Sequence, residues 1–212
     1  MPQRRVDAPI MGPTREVLRI QSVGSAFIDA RFDVVPNLSR RVDSRVLRMV
    51  AAAVKRGSSL EINYMSMNDG RPNPLWRRMS PHSFGYDGAR WFVRAYCHLD
   101  CKFKDFVLCR CLGARAASGD FPVTMPDSNW DTKVRVVLAT NSKLSLNQKR
   151  ATTIEFGLKK GHRSVFVRRA MLGYFKRQLS LNAKKAARSA MQMPLVSANR
   201  VDIDEEIKVA KL

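Results

Sequence analysis

Arginine and tyrosine are interleaved with apolar residues through residues 60–111, and this is the chain's clearest chemical signal. On a strand, Arg90, Phe92, Arg94 and Tyr96 share one face, while Trp91, Val93, Ala95 and Cys97 share the other. The second set reads as core. The first alternates guanidinium groups with rings, which suits stacking on a base or clamping a phosphate. Arg110 follows Phe106 and Leu108 at period two and so points to the apolar side. It cannot lose its charge, so it must meet an anion or reach solvent there. Asp105 is its internal candidate partner, although at opposite parity. Tyr64 follows Leu60 and Ile62 in the same way, and its hydroxyl needs a partner if buried. Against the anion reading, strand-end arginines in a very basic protein are commonly solvated, and Tyr64 reads equally as core with a wet tip.

Catalytic patterns are weak. No serine stands in Gly-x-Ser-x-Gly, no histidines pair on a helix, and no two carboxylates stand out. Cys97 and His98 adjoin on a strand and therefore point to opposite faces. Gly157-Leu-Lys-Lys160-Gly161 lacks the residue order of a P-loop and the strand before it. His82 follows Pro81, where it either donates to a phosphate or bonds a neighbouring strand; His98 and His162 show no partner. Cys97, Cys101, Cys109 and Cys111 are spaced C-x3-C and then C-x-C, which is not a usual zinc knuckle. They read as reduced, half-buried thiols. The expectation is a non-enzyme without metal or cofactor.

Alternation must come from strands. Leu60 to Tyr64, Trp76 to Phe84, Arg90 to Cys97, Lys104 to Cys111 and Ala114 to Phe121 make five short ones, with a tight turn at Tyr86-Asp87-Gly88. Turns about every ten residues predict a small closed barrel. Before it, Val46, Leu47, Val50, Ala51 and Val54 repeat with helical spacing, capped by Asp43 or Ser44 and ended by Gly57. Thr14 to Ile20 has mild helical spacing. After a linker at residues 121–126, Val134 to Leu138, a helix capped by Ser145, Ser164 to Val167 and a helix from Arg169 to Leu181 predict a compact α/β unit. A basic helix from Ala183, a break at Pro194 and an acidic patch at Asp202 to Glu206 end the chain.

The string Tyr64-x-Ser66, Arg77-x-x-x-Pro81-His82, Arg90-Trp91-x-x-Arg94-Ala-Tyr96-Cys97 and Phe103-Lys104-Asp105-Phe106 resembles the WYL domain. It is closest to the WYL repressors of bacterial phage-defence loci. Of the naming tripeptide only Trp91 is kept. The resemblance runs from Val35 to Asn199 and takes in Asp127-Ser-Asn-Trp130. It implies an α+β protein: a five-stranded Sm/SH3-like barrel followed by a WCX-like α/β extension. The expected domains are an N-terminal remnant and linker (1–42), a WYL domain with its leading helix (43–122), the extension (127–199) and a tail (200–212). The implied ligand face comprises Tyr64, Ser66, Arg77, His82, Arg94 and Arg110, with Tyr96 and Lys104 as weaker members. Where the branch has arginine, Lys104 keeps the charge but loses the bidentate fork. The implied function is a dimeric ligand-sensing module of a transcriptional regulator, with a nucleotide or nucleic-acid effector. Residues 1–34 show no helix–turn–helix pattern and are too few for a winged domain, so DNA reading is not carried over. Pairing with a full-length paralogue is one alternative partner.

The chain has 38 basic and 18 acidic residues, a net charge of +20. That favours polyanions as partners. No run approaches a membrane span, and basic Arg4-Arg5 has no apolar segment behind it, so a cytoplasmic protein is expected. Between residues 143 and 188 the only acid is Glu155. Lys149, Arg150, Arg168, Arg169, Lys176 and Arg177 are therefore expected nucleic-acid contacts, unless they only form a solvated face. The competing reading is a non-specific nucleic-acid binder with a purely structural barrel.

Overall fold

The computed structural model describes residues 40–67, 70, 72–119, 125–181 and 190–209. The helical spacing at residues 14–20, the basic stretch at 183–188 and most of the expected linker lie outside them. The chain divides into two compact units, residues 1–124 and 125–212.

In the first unit, α1 (Ser44–Arg56) starts where Asp43 accepts hydrogen bonds from the backbone N–H groups of Arg45 and Val46. It ends at Gly57, whose φ of +64° places it in the left-handed region and whose N–H closes the last turn. Val46, Val50 and Ala53 form its buried stripe. Five antiparallel strands follow: β1 (Leu60–Tyr64), β2 (Leu75–Tyr86), β3 (Trp91–Cys97), β4 (Lys102–Val107) and β5 (Cys111–Ala116). Their order is β4-β3-β2-β1-β5.

The sheet is not closed into the expected barrel, because no ladder joins β4 to β5. It is nevertheless strongly rolled. The two edges are linked by one 3-10 turn, Leu108–Arg110, and three residues reach only about 10 Å. Arg110 thus belongs to that turn and not to a fourth strand. A bulge at His82 adds curvature: Pro81 pairs with Ala95 and Ser83 with Arg94, leaving His82 extra. Pro81 fits here because β1 pairs with β2 only as far as Met79. Asp87 accepts from the N–H groups of Ala89 and Arg90 and pairs with the Arg90 side chain, tightening the β2–β3 turn.

The second unit begins with Asp127, which caps the short α2 (Ser128–Asp131). Then come β6 (Lys133–Thr140), α3 (Leu146–Glu155), β7 (His162–Arg168), α4 (Leu172–Gln178), β8 (Leu195–Ser197) and α5 (Arg200–Val209). The strands are ordered β7-β6-β8. Ser145 and Gln148 form a reciprocal capping box on α3. The helix expected from Arg169 begins as a 3-10 turn, Arg169–Met171, and ends before Ser180, whose φ is +55°. Val136, Leu138, Leu158, Leu172, Leu195 and Ile203 form the core.

Candidate functional site

Strand parity gives the first sheet two faces. The inner face carries Leu60, Ile62 and Tyr64, then Arg77 and Met79, then Val93, Ala95 and Cys97, and finally Lys104 and Phe106. The outer face carries Glu61, Arg78, Ser80, Ser83, Arg94, Tyr96, Phe103 and Asp105. The eight residues expected to share one ligand face are therefore divided between two.

Arg77 lies opposite Ile62 on the inner face, with its side chain only 2% exposed. Its guanidinium sits 5.5 Å from the Tyr64 ring centroid and 6.0 Å from that of Phe106. The rings supply cation–π attraction but no lone pairs. Nη1 faces Asp100 Oδ2 at 3.7 Å, while Nε and Nη2 have no hydrogen-bond partner among the described residues. The same Oδ2 accepts from Lys104 Nζ at 2.8 Å and Cys97 Sγ at 3.3 Å. That oxygen is thus shared by Arg77, Lys104 and Cys97. Burial, above all, raises the Cys97 thiol pKa.

The Tyr64 hydroxyl accepts the Val107 N–H at 3.2 Å, which supplies the partner its burial requires. Burial raises its pKa, opposed by that N–H and by the nearby Arg110 guanidinium. Tyr64 and Phe106 meet edge to face at 5.1 Å. Ser66 follows in the loop after β1. Arg77 lies against the Tyr64 and Phe106 rings and shares the Asp100 carboxylate with Lys104, while Arg110 comes to the Tyr64 hydroxyl from the 3-10 turn that follows β4. That excess of positive charge around a part-apolar floor suits an anionic group.

The outer-face residues are committed elsewhere. Arg94 is 5% exposed and lies opposite Asp105 in the ladder, with Nη1 at 3.2 Å from Oδ1. Asp105 therefore partners Arg94 and not Arg110: cross-strand register decides the pairing, and it puts Arg94 and Asp105 on one face. Phe92, expected beside Arg94 on the mixed face, is fully buried over Gly85, where an added Cβ would come within 2.3 Å of its ring. His82 bonds Ser83 and meets Phe103 edge-on at 5.6 Å; Tyr96 meets Phe103 and His98 edge-on. His98 has a partner after all, the Ser80 hydroxyl at 2.8 Å. Burial, then Arg78, lowers its pKa. Arg94, Tyr96 and His82 are thus removed from the inner cluster, while Asp100, its anchor, was missed. Asp100 stands in the β3–β4 turn, four residues before Lys104, but only register brings it to Arg77.

The second unit's expected contact cations fall into two groups. Arg169 pairs with Glu206, and Lys176, 6% exposed, pairs with Asp204. Arg168 donates to the Trp130 carbonyl and stacks over its ring at 4.9 Å. The acids absent from residues 143–188 come from α5, which folds back onto α4. Lys149, Arg150 and Arg177 remain at the surface, Arg177 over the Tyr174 ring.

A WYL domain family model matches residues 45–116, and the BrxR transcriptional regulator C-terminal dimerization domain matches residues 133–203. The chain is 33% identical over 174 residues to the DNA-binding transcriptional repressor CapW of Pseudomonas aeruginosa, covering 82% of this chain and 58% of that protein. Proteins of the same name from Escherichia coli (strain KTE188) and Stenotrophomonas maltophilia are each 30% identical, with 80% and 81% of this chain and 56% and 57% of theirs covered. The chain therefore spans less than three fifths of the length of these relatives.

Proposed function

The chain belongs to the WYL-domain transcriptional regulators, and from that premise we propose that its sheet unit senses an anionic effector while its second unit pairs two copies. The observation that carries the sensor reading is Arg77, a buried guanidinium whose Nε and Nη2 find no hydrogen-bond partner among the described residues. Such groups are costly in a low-dielectric interior unless something negative answers them. Lys104 and Arg110, both partly exposed, form the rim above it. A phosphate at this rim competes with Asp100 for Lys104 and adds acceptors for the cations around Tyr64. The effector class is a nucleotide or a nucleic-acid end, whose base can stack while its phosphate is clamped. Occupancy shifts the regulator between two states by no more than the effector's differential affinity for them.

Pairing is assigned to the second unit on two grounds. The matched family model is named for dimerization. The sheet also presents Phe166, 69% exposed, on the face away from the core residue Val136. The CapW relatives are named as DNA-binding repressors, and a repressor role is the corresponding reading here.

Thermal stability measured against mononucleotides, dinucleotides and short oligonucleotides at low salt tests the sensor. One of these classes should stabilise the chain, and Arg77→Met should abolish that stabilisation while the fold persists, since apolar replacement of a buried charge is often neutral or better. If no class stabilises the wild-type chain, or if Arg77→Met responds as wild type does, the sensor site is not here.

A further inference from the structure

Helix α1 exposes Arg45, Arg48, Lys55 and Arg56 and contains no acid. Arg45, Arg48, Ala52 and Arg56 recur at intervals of three and four, so they form one stripe beside the buried Val46–Val50–Ala53 stripe. Among the described residues no carboxylate pairs with these cations. Helix stability explains only part of the pattern. Lys55 and Arg56 suit the negative end of the helix dipole, whereas Arg45 in the first turn opposes its positive end. Ala52 leaves a gap between Arg48 and Arg56. There a shallow groove of about 310 Å³ opens, floored by Met49, Ala53, Leu60 and Ala116 and edged by Ser58 and Ser59.

We propose that this stripe is a docking strip for the phosphate backbone of duplex DNA. Arg45 to Arg56 spans about 16 Å of helix axis, the length over which one strand presents about five phosphates. Guanidinium forks match phosphate oxygens bidentately, and the apolar groove between Arg48 and Arg56 accepts the sugar edge between two phosphates. The strip is sequence-independent, because nothing in it addresses base edges. It does not depend on the Arg77 site: the strip's arginines are exposed on α1, whereas Arg77 is buried beside Tyr64, Phe106 and Asp100. It also differs from the second unit's basic surface, where Arg169 and Lys176 are already neutralised.

Fluorescence anisotropy of a random duplex of about 30 base pairs, titrated with the full chain between about 50 and about 300 mM salt, tests this. The triple variant R45A/R48A/R56A is compared with K149A/R150A/R177A, which removes the same charge from the second unit. The α1 variant should bind about 10- to 50-fold more weakly at low salt and flatten the log affinity–log salt slope by about 2.7, or 0.9 per lost phosphate contact. The second-unit variant should change the slope by less than about 1. Alanine favours helix, and circular dichroism checks that α1 persists. R45K/R48K/R56K keeps the charge and should restore most of the slope, which separates charge loss from misfolding. Equal losses in the two alanine variants, or an unchanged slope in the α1 variant, overturn the proposal. So does stronger capture of a polyglutamate peptide than of the duplex. Loss of nucleotide stabilisation in Arg77→Met with duplex binding intact leaves the strip standing.

Discussion

Arg77 in the first unit and Lys176 in the second are both buried cations, and they are answered in opposite ways. Lys176 in α4 is 6% exposed and has the Asp204 carboxylate in direct contact; neighbouring Arg169 has Glu206. Arg77 in β2 is 4% exposed and shares one carboxylate, at 3.7 Å, with Lys104 and Cys97. A compact ammonium needs one well-placed acceptor. A guanidinium carries five donors in a fixed fork and is left wanting by one distant oxygen. The first pattern is what a fold uses to bring a terminal helix home. The second is what a site uses to keep attraction in reserve, so position in the charge network separates structural from functional cations where residue type does not.

The sharpest way to break this comparison is to remove each carboxylate. Asp100→Ala strands Arg77 in the interior and releases Lys104, and should cost about 3 to 4 kcal/mol. Asp204→Ala should cost only about 1 to 2 kcal/mol, because the Asp204 side chain is 41% exposed and water replaces much of what it offers Lys176. Urea unfolding read by far-ultraviolet circular dichroism measures both. If the two cost the same, Arg77 and Lys176 are equivalent structural cations and the reserve assigned to Arg77 does not exist.

What could be read in the sequence followed from local rules. Asp43, Gly57 and Ser145 cap helices as their types demand, and alternation located every strand of the first sheet. Boundaries failed where a turn interrupts alternation: Leu108–Arg110 looks like strand by period two but is 3-10. β8 was missed because three residues carry too little pattern. The site was half legible. Tyr64, Arg77 and Lys104 do share one face, with Arg110 beside Tyr64, yet Arg94 and Tyr96 belong to the other face, and the bulge at His82 re-aims β2. Partner identity was not legible at all, since Asp100 reaches Arg77 through register, and Asp204 and Glu206 reach Lys176 and Arg169 through the return of α5. No window along the chain contains these contacts.

A smaller effect sharpens the division of labour. Phe166 stands on edge strand β7 opposite Arg135, and its exposed ring gains from burial against a second copy. Phe166→Ser should weaken self-association about 30-fold, close to the worth of one large buried apolar side chain. It should leave effector-induced stabilisation intact. Sedimentation equilibrium reads the first quantity and a thermal shift the second. Unchanged association would place the pairing surface elsewhere on the second unit.

The smallest expected effect is a null one, and it tests whether the two charge networks support separate cores. All four cysteines lie in the first unit, so thiol labelling reports on that unit alone. Cys111 is buried in the first core, with its thiol donating toward the Val107 carbonyl and its pKa pushed up to about 12 by burial. At neutral pH almost none of it is thiolate, and the thiolate is the reactive form, so native labelling proceeds only through opening. Exposed Cys101 labels without that requirement. Asp100→Ala, by loosening the first core by about 3 kcal/mol, should speed Cys111 labelling about 100-fold. Asp204→Ala should leave it unchanged within about twofold, because Lys176 and Asp204 belong to the other core. Site-resolved mass spectrometry of iodoacetamide adducts measures both. Accelerated Cys111 labelling in Asp204→Ala would mean that the units open as one, and the contrast between a fold-holding and a ligand-holding cation would then have to be drawn within a single cooperative structure.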